Sequence, residues 1–134
     1  MVEVSFVRVL RLFFLFIAGG LCYMGIECLW RGWTHGTMFL AGGSCFLLLG
    51  KLDRTDPRLP LPFRAAAGAG IITGVEFLTG LLANRDYSVW DYRQMPLNYR
   101  GQICLPFCLL WAPLSIGAMV LYTALDKKIP SGQT

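Results

Sequence analysis

The sequence has 134 residues, of which 55% are hydrophobic and 15% charged, with a formal net charge of +4. Its mean hydropathy of +0.54 excludes an ordinary soluble domain of this size, because so short a chain cannot bury that much apolar surface. No basic stripe interleaved with stacking aromatics occurs outside the apolar runs, so nucleic acid is excluded as a partner and the lipid bilayer is favoured.

A bilayer core about 30 Å thick requires about 20 apolar residues of helix, and four stretches approach that length. The first helix is predicted over residues 9–29 and the second over residues 33–49. The second stretch is short and rich in glycine, which predicts close packing against another helix. Residues 51–62 are charged and contain three prolines, so they are predicted to form a loop.

The second half of the sequence predicts two more helices. They cover residues 63–82 and 103–125, and glycines again mark the first of them as a closely packed helix. Residues 83–102 form the longest polar connection in the chain. The tail over residues 126–134 is predicted to be loose.

Short motifs recur in the same order in the two halves. Residues 25–29 (GIECL) align with 74–78 (GVEFL), and residues 36–40 align with 101–105. Such Gly- and Leu-rich matches also arise by chance, so two unrelated halves remain the alternative. If the repeat is real, both halves share one orientation in the membrane. The predicted fold class is then all-α integral membrane, with four transmembrane helices as two parallel two-helix repeats, over about 9–50 and about 63–125, in a single domain spanning 1–134.

The distribution of lysine and arginine predicts the orientation. Eight of the 12 basic residues lie in the N-terminal segment, between the second and third helices, or in the C-terminal tail. The opposite side carries the other four, three of them in the 83–102 connection. Because basic loops favour the cytoplasm, both termini are predicted to be cytoplasmic and the long connection to lie outside.

Two glutamates lie within predicted spans. Glu76 is twelve residues beyond the arginine at the start of its helix, or about 18 Å into the membrane at 1.5 Å per residue. A carboxylate at that depth costs about 2.5–3.5 kcal/mol unless it is paired, protonated or facing a wet cavity. Arg93 and Arg100 are its candidate partners. Glu27 lies nearer the outer edge, where its i, i+4 spacing predicts an ion pair with Arg31.

We predict an outward-opening polar pocket around the two glutamates, which would bind a proton or a cationic solute. Polar and aromatic residues on the outer side complete the candidate site: Glu27, Glu76, His35, Arg31, Trp90, Asp91, Tyr92, Arg93, Asn98, Arg100 and Gln102. Simpler interpretations remain open: a surface ion pair for Glu27, a helix-end residue for His35, and an interfacial aromatic belt or a loop cap for Trp90 and its neighbours.

The sequence contains no pattern typical of a catalytic, nucleotide or metal site. The phosphate-binding loop, the nucleophile elbow and the zinc motif of metalloproteases are all missing. The five cysteines lie in or beside apolar segments, where they resemble small core residues. We therefore predict no catalytic residue, metal or cofactor, and an ATPase that powered the protein would be a separate chain.

Motifs along nearly the whole chain match one bacterial family, and residues 90–106 are the most specific of them. The matching residues are Glu27, Trp30-Arg31-Gly32, Thr34-His35, Met38-Phe39, Gly42-Gly43, Glu76, Thr79-Gly80, Trp90-Asp91-Tyr92, Met95-Pro96-Leu97-Asn98 and Gly101-Gln102-Ile103-Cys104-Leu105-Pro106. With these residues the sequence resembles the family called putative ABC-transporter type IV, or CmpB-like. The resemblance implies a transporter permease in a bacterial plasma membrane.

The leading functional hypothesis is a small membrane transporter or channel-like subunit. Four short helices enclose little volume, so a homodimer is predicted, and a separate partner subunit is a further candidate partner. Two alternatives stay open. One is a structural or regulatory membrane partner protein whose polar cluster only fixes helix packing. The other is a membrane enzyme acting on a lipid or lipid-linked substrate, with the paired carboxylates as acid and base.

Overall fold

The computed structural model describes the backbone of residues 2–129 and the side chains of residues 5–129. Its regular structure is dominated by four helices, in the order that the apolar runs predict: α1 (Val2–Arg31), α2 (Gly36–Thr55), α3 (Leu61–Ala83) and α4 (Leu105–Lys128). α4 continues through Lys128, so the loose tail predicted from residue 126 is wrong for its first three residues. Residues 130–134 of that tail lie outside the described part.

A short turn joins α1 to α2. α1 ends at Arg31 because Gly32 adopts a left-handed φ of 79°, and its N–H bonds to the Cys28 carbonyl at 2.9 Å. His35 then caps α2, since its Nδ1 accepts a hydrogen bond from the Thr37 N–H at 3.2 Å. A connection this short makes the two helices antiparallel neighbours.

The second helix is longer than predicted and takes in part of the expected 51–62 loop. α2 continues through its charged residues to Thr55, and Asp53 in this last turn pairs with Arg64 at the start of α3, with 3.2 Å between Oδ1 and Nη1. The helix ends at Thr55, with Asp56 as its C-cap, because Pro57 follows and a residue before proline disfavours helical backbone. Charge lowered the apolar signal here without breaking the helix.

All four helices run between two distinct ends of the bundle. We call one the charged end; it contains two ion pairs, Arg11–Asp126 with 2.7 Å between Nε and Oδ1, and Arg64–Asp53. We call the other the loop end; it contains the α1–α2 turn at 32–35 and the α3–α4 connection at 84–104. The N-terminal part of α1, the α2–α3 loop and the last turn of α4 therefore share one end.

The interior of the bundle is built around α2. This helix contacts each of the other three, whereas α1 packs mainly on α2 and touches α4 only sparsely. Its glycines permit close approach, as predicted: a Cβ at Gly42 would overlap Tyr23, and one at Gly50 would overlap Tyr122. The prediction is wrong for Gly36 of α2 and for Gly70 and Gly74 of α3, which face open space.

Within residues 5–129, three helices are long and apolar enough to cross a membrane: α1 over Ser5–Arg31, α3 and α4. Large apolar side chains cover their outer surfaces, Phe13, Leu82 and Leu109 among them. α2 does not reach the same apolarity, since glycines and its charged last turn dilute it. The chain is therefore a mostly helical membrane-type protein, and the prediction of a fourth span at α2 stays a prediction.

Candidate functional site

A cavity of about 560 Å³ opens between α1 and α4 at the loop end. These two helices make few contacts with each other, and residues of α2, α3 and the α3–α4 connection line the inner side of the cavity. Both glutamates line it. The predicted site residues on its wall are Glu27, Arg31, Glu76, Trp90, Asp91 and Tyr92.

Glu27 is an ion-paired member of this wall. Its Oε2 lies 2.6 Å from the Nε of Arg31, one helical turn later, as the i, i+4 spacing predicts. The same guanidinium donates a hydrogen bond to the Val89 carbonyl of the long connection and stacks over the Trp33 ring at 4.0 Å. Arg31 thus connects the end of α1 to the α3–α4 connection and neutralises the charge of Glu27.

Glu76 projects from α3 with only 6% of its surface exposed. The Tyr92 hydroxyl donates a hydrogen bond to its Oε2 at 3.0 Å, and the Tyr92 ring stacks on Phe107 of α4 with centroids 4.9 Å apart. Burial, and then the neighbouring Glu76 carboxylate, raises the pKa of the Tyr92 hydroxyl above its ordinary value. Tyr92 therefore remains a neutral donor to the carboxylate over the whole physiological range.

The two arginines predicted to neutralise Glu76 do not reach it. Arg93 instead pairs with Asp91, with 2.7 Å between Nη2 and Oδ2, and lies over the Tyr87 ring. The Arg93 guanidinium and the Arg93 backbone N–H both donate hydrogen bonds to the Asp91 carboxylate, and these bonds lower the pKa of Asp91. Arg100 lies over the Tyr99 ring with its Cζ 5.6 Å from the centroid. Both arginines stay on the exposed outer surface of the connection, where water solvates their charge. Across residues 5–129, Glu76 is thus the cavity carboxylate without a cationic partner.

A fully buried asparagine, missed in the sequence, organises the long connection. Asn84 has 0% exposure and caps the end of α3. Its Nδ2 donates to the Trp90 carbonyl at 2.7 Å and to Gln102 Oε1 at 2.9 Å, and its Oδ1 accepts from the Val89 N–H at 2.8 Å. Gln102 returns a bond from Nε2 to the Asn84 carbonyl at 2.9 Å. Gln102 therefore positions the connection rather than lining the cavity as predicted.

Two other predicted site residues also lie outside the cavity. His35 is exposed and caps α2, which is the simpler interpretation of this residue. Asn98 is exposed in a small antiparallel hairpin formed by β1 (Asn98–Tyr99) and β2 (Ile103–Cys104), where its Oδ1 accepts the Gly101 N–H at 3.0 Å. The hairpin turn needs glycine at position 101 because the φ angle of Gly101 is 67°. Both polar side chains are used by local backbone structure.

Aromatic residues of the helices complete the wall and were also missed. Tyr23 lies one turn before Glu27 on α1, and Phe107 and Trp111 are one turn apart on α4. Helical spacing from Glu27 would have indicated Tyr23, but nothing in the sequence indicates which face of α4 meets Glu76. Trp111 is only 8% exposed, and within the described part of the chain its indole N–H has no hydrogen-bond partner. Aromatic faces around a carboxylate are suited to an organic cation.

Close packing between α3 and the connection gives a prediction for Gly80. A Cβ at this position would overlap the Gln102 amide, so Gly80→Ala should displace Gln102 from Asn84 and lower the free energy of unfolding by about 1–3 kcal/mol. Gly74, on the same helix, faces open space. Gly74→Ala should leave the stability unchanged or raise it by up to about 1 kcal/mol. Denaturant titration of the two variants side by side checks this, and equal effects would contradict it.

Among residues 5–129, no cluster of three or more His, Cys, Asp or Glu side chains could hold a metal ion. A sequence model of the family described as putative ABC-transporter type IV matches residues 4–130 of the chain. No curated protein and no solved structure matches it.

Proposed function

Because the chain belongs to the family described as putative ABC-transporter type IV, we propose that it is a small multi-pass membrane transporter subunit that takes up a monovalent organic cation. The solute would bind in the cavity that Glu27 and Glu76 share. One observation carries the proposal. Glu76 is a buried carboxylate that has no cationic partner among residues 5–129, and it lies in a cavity walled by aromatic rings.

The charge balance of the cavity favours a single positive charge on the solute. Arg31 offsets Glu27, and Arg93 offsets Asp91, so the remaining negative charge is that of Glu76. An uncompensated carboxylate within a membrane costs about 2.5–3.5 kcal/mol, which a bound cation or a proton would remove. A proton and the solute would therefore compete for the same carboxylate.

The shape and chemistry of the wall favour an organic cation over a hydrated metal ion. The rings of Trp90, Tyr92, Phe107 and Trp111 surround one side of the cavity. Such faces attract alkylammonium groups, which carry their charge over an apolar surface and lose little hydration. A volume of about 560 Å³ is within the usual range for small-molecule sites.

We propose that the protein crosses the membrane four times in a defined orientation. α2 runs between the charged end and the loop end like the other helices, and its neighbours shield it from lipid, so it can span without being highly apolar. The charged end would face the cytoplasm of a bacterial cell and the cavity would open outside, in keeping with the positive-inside rule. Under the two-repeat hypothesis, Glu27 and Glu76 are equivalent positions facing one cavity.

A homodimer, or assembly with a separate partner subunit, would supply the remainder of the route. The cavity occupies the loop-end half of the bundle only, because the core around Leu49, Ile72 and Met119 fills the space toward the charged end. Passage across the whole membrane therefore requires a second chain or a rearrangement of α1 against α4.

The proposed function is tested by uptake of radiolabelled tetramethylammonium into liposomes that contain the purified protein. We expect uptake that saturates with concentration and that a protein-free liposome does not show, driven by an inside-negative membrane potential. Choline should compete with the label, since it presents the same ammonium group. Uptake no faster than in protein-free liposomes, with the protein correctly inserted, would contradict transport by this chain.

A further inference from the structure

A second, apolar groove continues from the cavity along the gap between α1 and α4. Its volume is about 180 Å³, and it shares Tyr23, Ile26 and Leu114 with the wall of the cavity. No charged side chain is present in the lining of this groove. Polarity therefore changes along one axis, from the carboxylates at the loop end to purely apolar walls toward the middle of the bundle.

The groove is open toward the side of the bundle that the lipid would cover. α1 and α4 make few contacts with each other, so the gap between them is not closed by packing. Ile26 of α1 and Leu121 of α4 are exposed along its edges. A molecule in the bilayer could enter sideways without leaving the apolar phase.

Gly117 leaves part of this space unfilled. It lies on the groove wall, and a Cβ built there would meet nothing within 4 Å. Gly19 and Gly42 on the facing walls differ, because a Cβ at either one would overlap a neighbouring aromatic side chain. The first kind of glycine leaves room for a guest, whereas the second kind only lets helices approach.

From this arrangement we infer that the transported solute is an amphiphilic cation, whose ammonium head binds at Glu76 and whose single alkyl chain lies in the groove between α1 and α4. The inference rests on the proposed function and adds the class of substrate and its lateral route of entry. The head would be held by Glu76 and the cavity rings, and the chain by Tyr23, Leu114 and Gly117.

The test compares two cations of equal charge, tetramethylammonium and hexyltrimethylammonium, which differ in the length of one alkyl chain. Equilibrium binding is measured on the full chain in lipid nanodiscs, and protein-free nanodiscs correct for partition into lipid. The groove variant is Gly117→Leu, which fills the open space. The matched control is Gly70→Leu, because Gly70 also faces open space but lies on α3, away from the groove.

We expect the native protein to bind hexyltrimethylammonium at least about tenfold more tightly than tetramethylammonium, because burying each methylene is favourable. Gly117→Leu should remove most of that difference while leaving the affinity for tetramethylammonium within about twofold of native. Gly70→Leu should change neither affinity.

Two results would contradict the inference and leave the proposed function intact. One is equal affinity of the native protein for the two cations. The other is a Gly117→Leu protein that keeps the full preference for the longer chain, as expected if a second copy of the chain fills the groove. If the native protein bound neither cation, the proposed function itself would fail, so the two failures are distinguishable.

Discussion

Replacing Asn84 with alanine should lower the free energy of unfolding by about 2–4 kcal/mol and release the α3–α4 connection from the bundle. The asparagine is fully buried, and its side chain satisfies the Val89 N–H, the Trp90 carbonyl and the Gln102 amide. Alanine leaves those groups buried without partners, and each costs about 1–3 kcal/mol if water cannot reach it. Partial loosening of the connection relieves some of that penalty.

Limited proteolysis and denaturant titration together measure this effect. Proteolysis should cut the released connection over residues 85–100 much faster in the variant, while circular dichroism shows the helices retained. Asn98→Ala is the matched control, since Asn98 makes hydrogen bonds in the same connection but is exposed to water. Its cost should stay below about 1 kcal/mol. Equal protease sensitivity of the two variants would show that Asn84 does not anchor the connection.

Changing Glu76 to glutamine should weaken the binding of tetramethylammonium at least about 100-fold. The substitution removes the one unneutralised negative charge of the cavity and keeps the size and shape of the side chain. The glutamine amide oxygen can still accept a hydrogen bond from the Tyr92 hydroxyl. The fold should therefore survive, with a change of the free energy of unfolding within about 1 kcal/mol. The loss of affinity would then arise from charge rather than from unfolding.

Equilibrium binding in nanodiscs measures the affinity, and thermal unfolding in the same sample measures the stability. Asp56→Asn is the matched control, because it makes the same acid-to-amide change at an exposed position close to the charged end. That variant should bind like the native protein. Native affinity in Glu76→Gln would remove Glu76 from the site, and an unfolded Glu76→Gln protein would favour a purely structural role for the carboxylate.

The helices could be predicted from the sequence because their signal is local. About 20 consecutive apolar residues identify a span whatever its neighbours are, and α1, α3 and α4 satisfy that test. The ends were harder to predict. The charged residues at 51–55 predicted a loop. In the structure they complete α2, because Asp53 forms an ion pair with Arg64 across the α2–α3 turn. That pairing is a tertiary contact that no local pattern contains.

The candidate site could be predicted in part, for the same reason. The depth of Glu76 and the spacing from Glu27 to Arg31 follow from helix geometry alone. Glu27 and Glu76 lie on the wall of one cavity. The partner of Glu76 could not be predicted. Charge alone favoured Arg93, but the fold of the connection turns that arginine outward to Asp91 and directs Tyr92 inward.

The role of Asn84 was equally out of reach from sequence. A polar residue just after an apolar run reads as an ordinary helix end, and only the path of the following 18 residues brings Gln102 back to it. The same holds for Trp111, whose place on the wall depends on how α4 is rotated against α3. Residues that act through long-range contacts leave no periodic signal in the chain.

The tryptophan indoles should report directly on the binding of an organic cation in the cavity beside Glu76. The chain has 4 tryptophans, so nitrogen-15 labelling of the indoles in nanodiscs gives one resonance for each. Trp111 and Trp90 line the cavity, whereas Trp33 lies outside its wall. Titration with tetramethylammonium should shift the Trp111 and Trp90 resonances saturably, with a much smaller change at Trp33 and none in the Glu76→Gln protein. An unmoved Trp111 resonance at saturating cation, or an equal shift in Glu76→Gln, would contradict the claim.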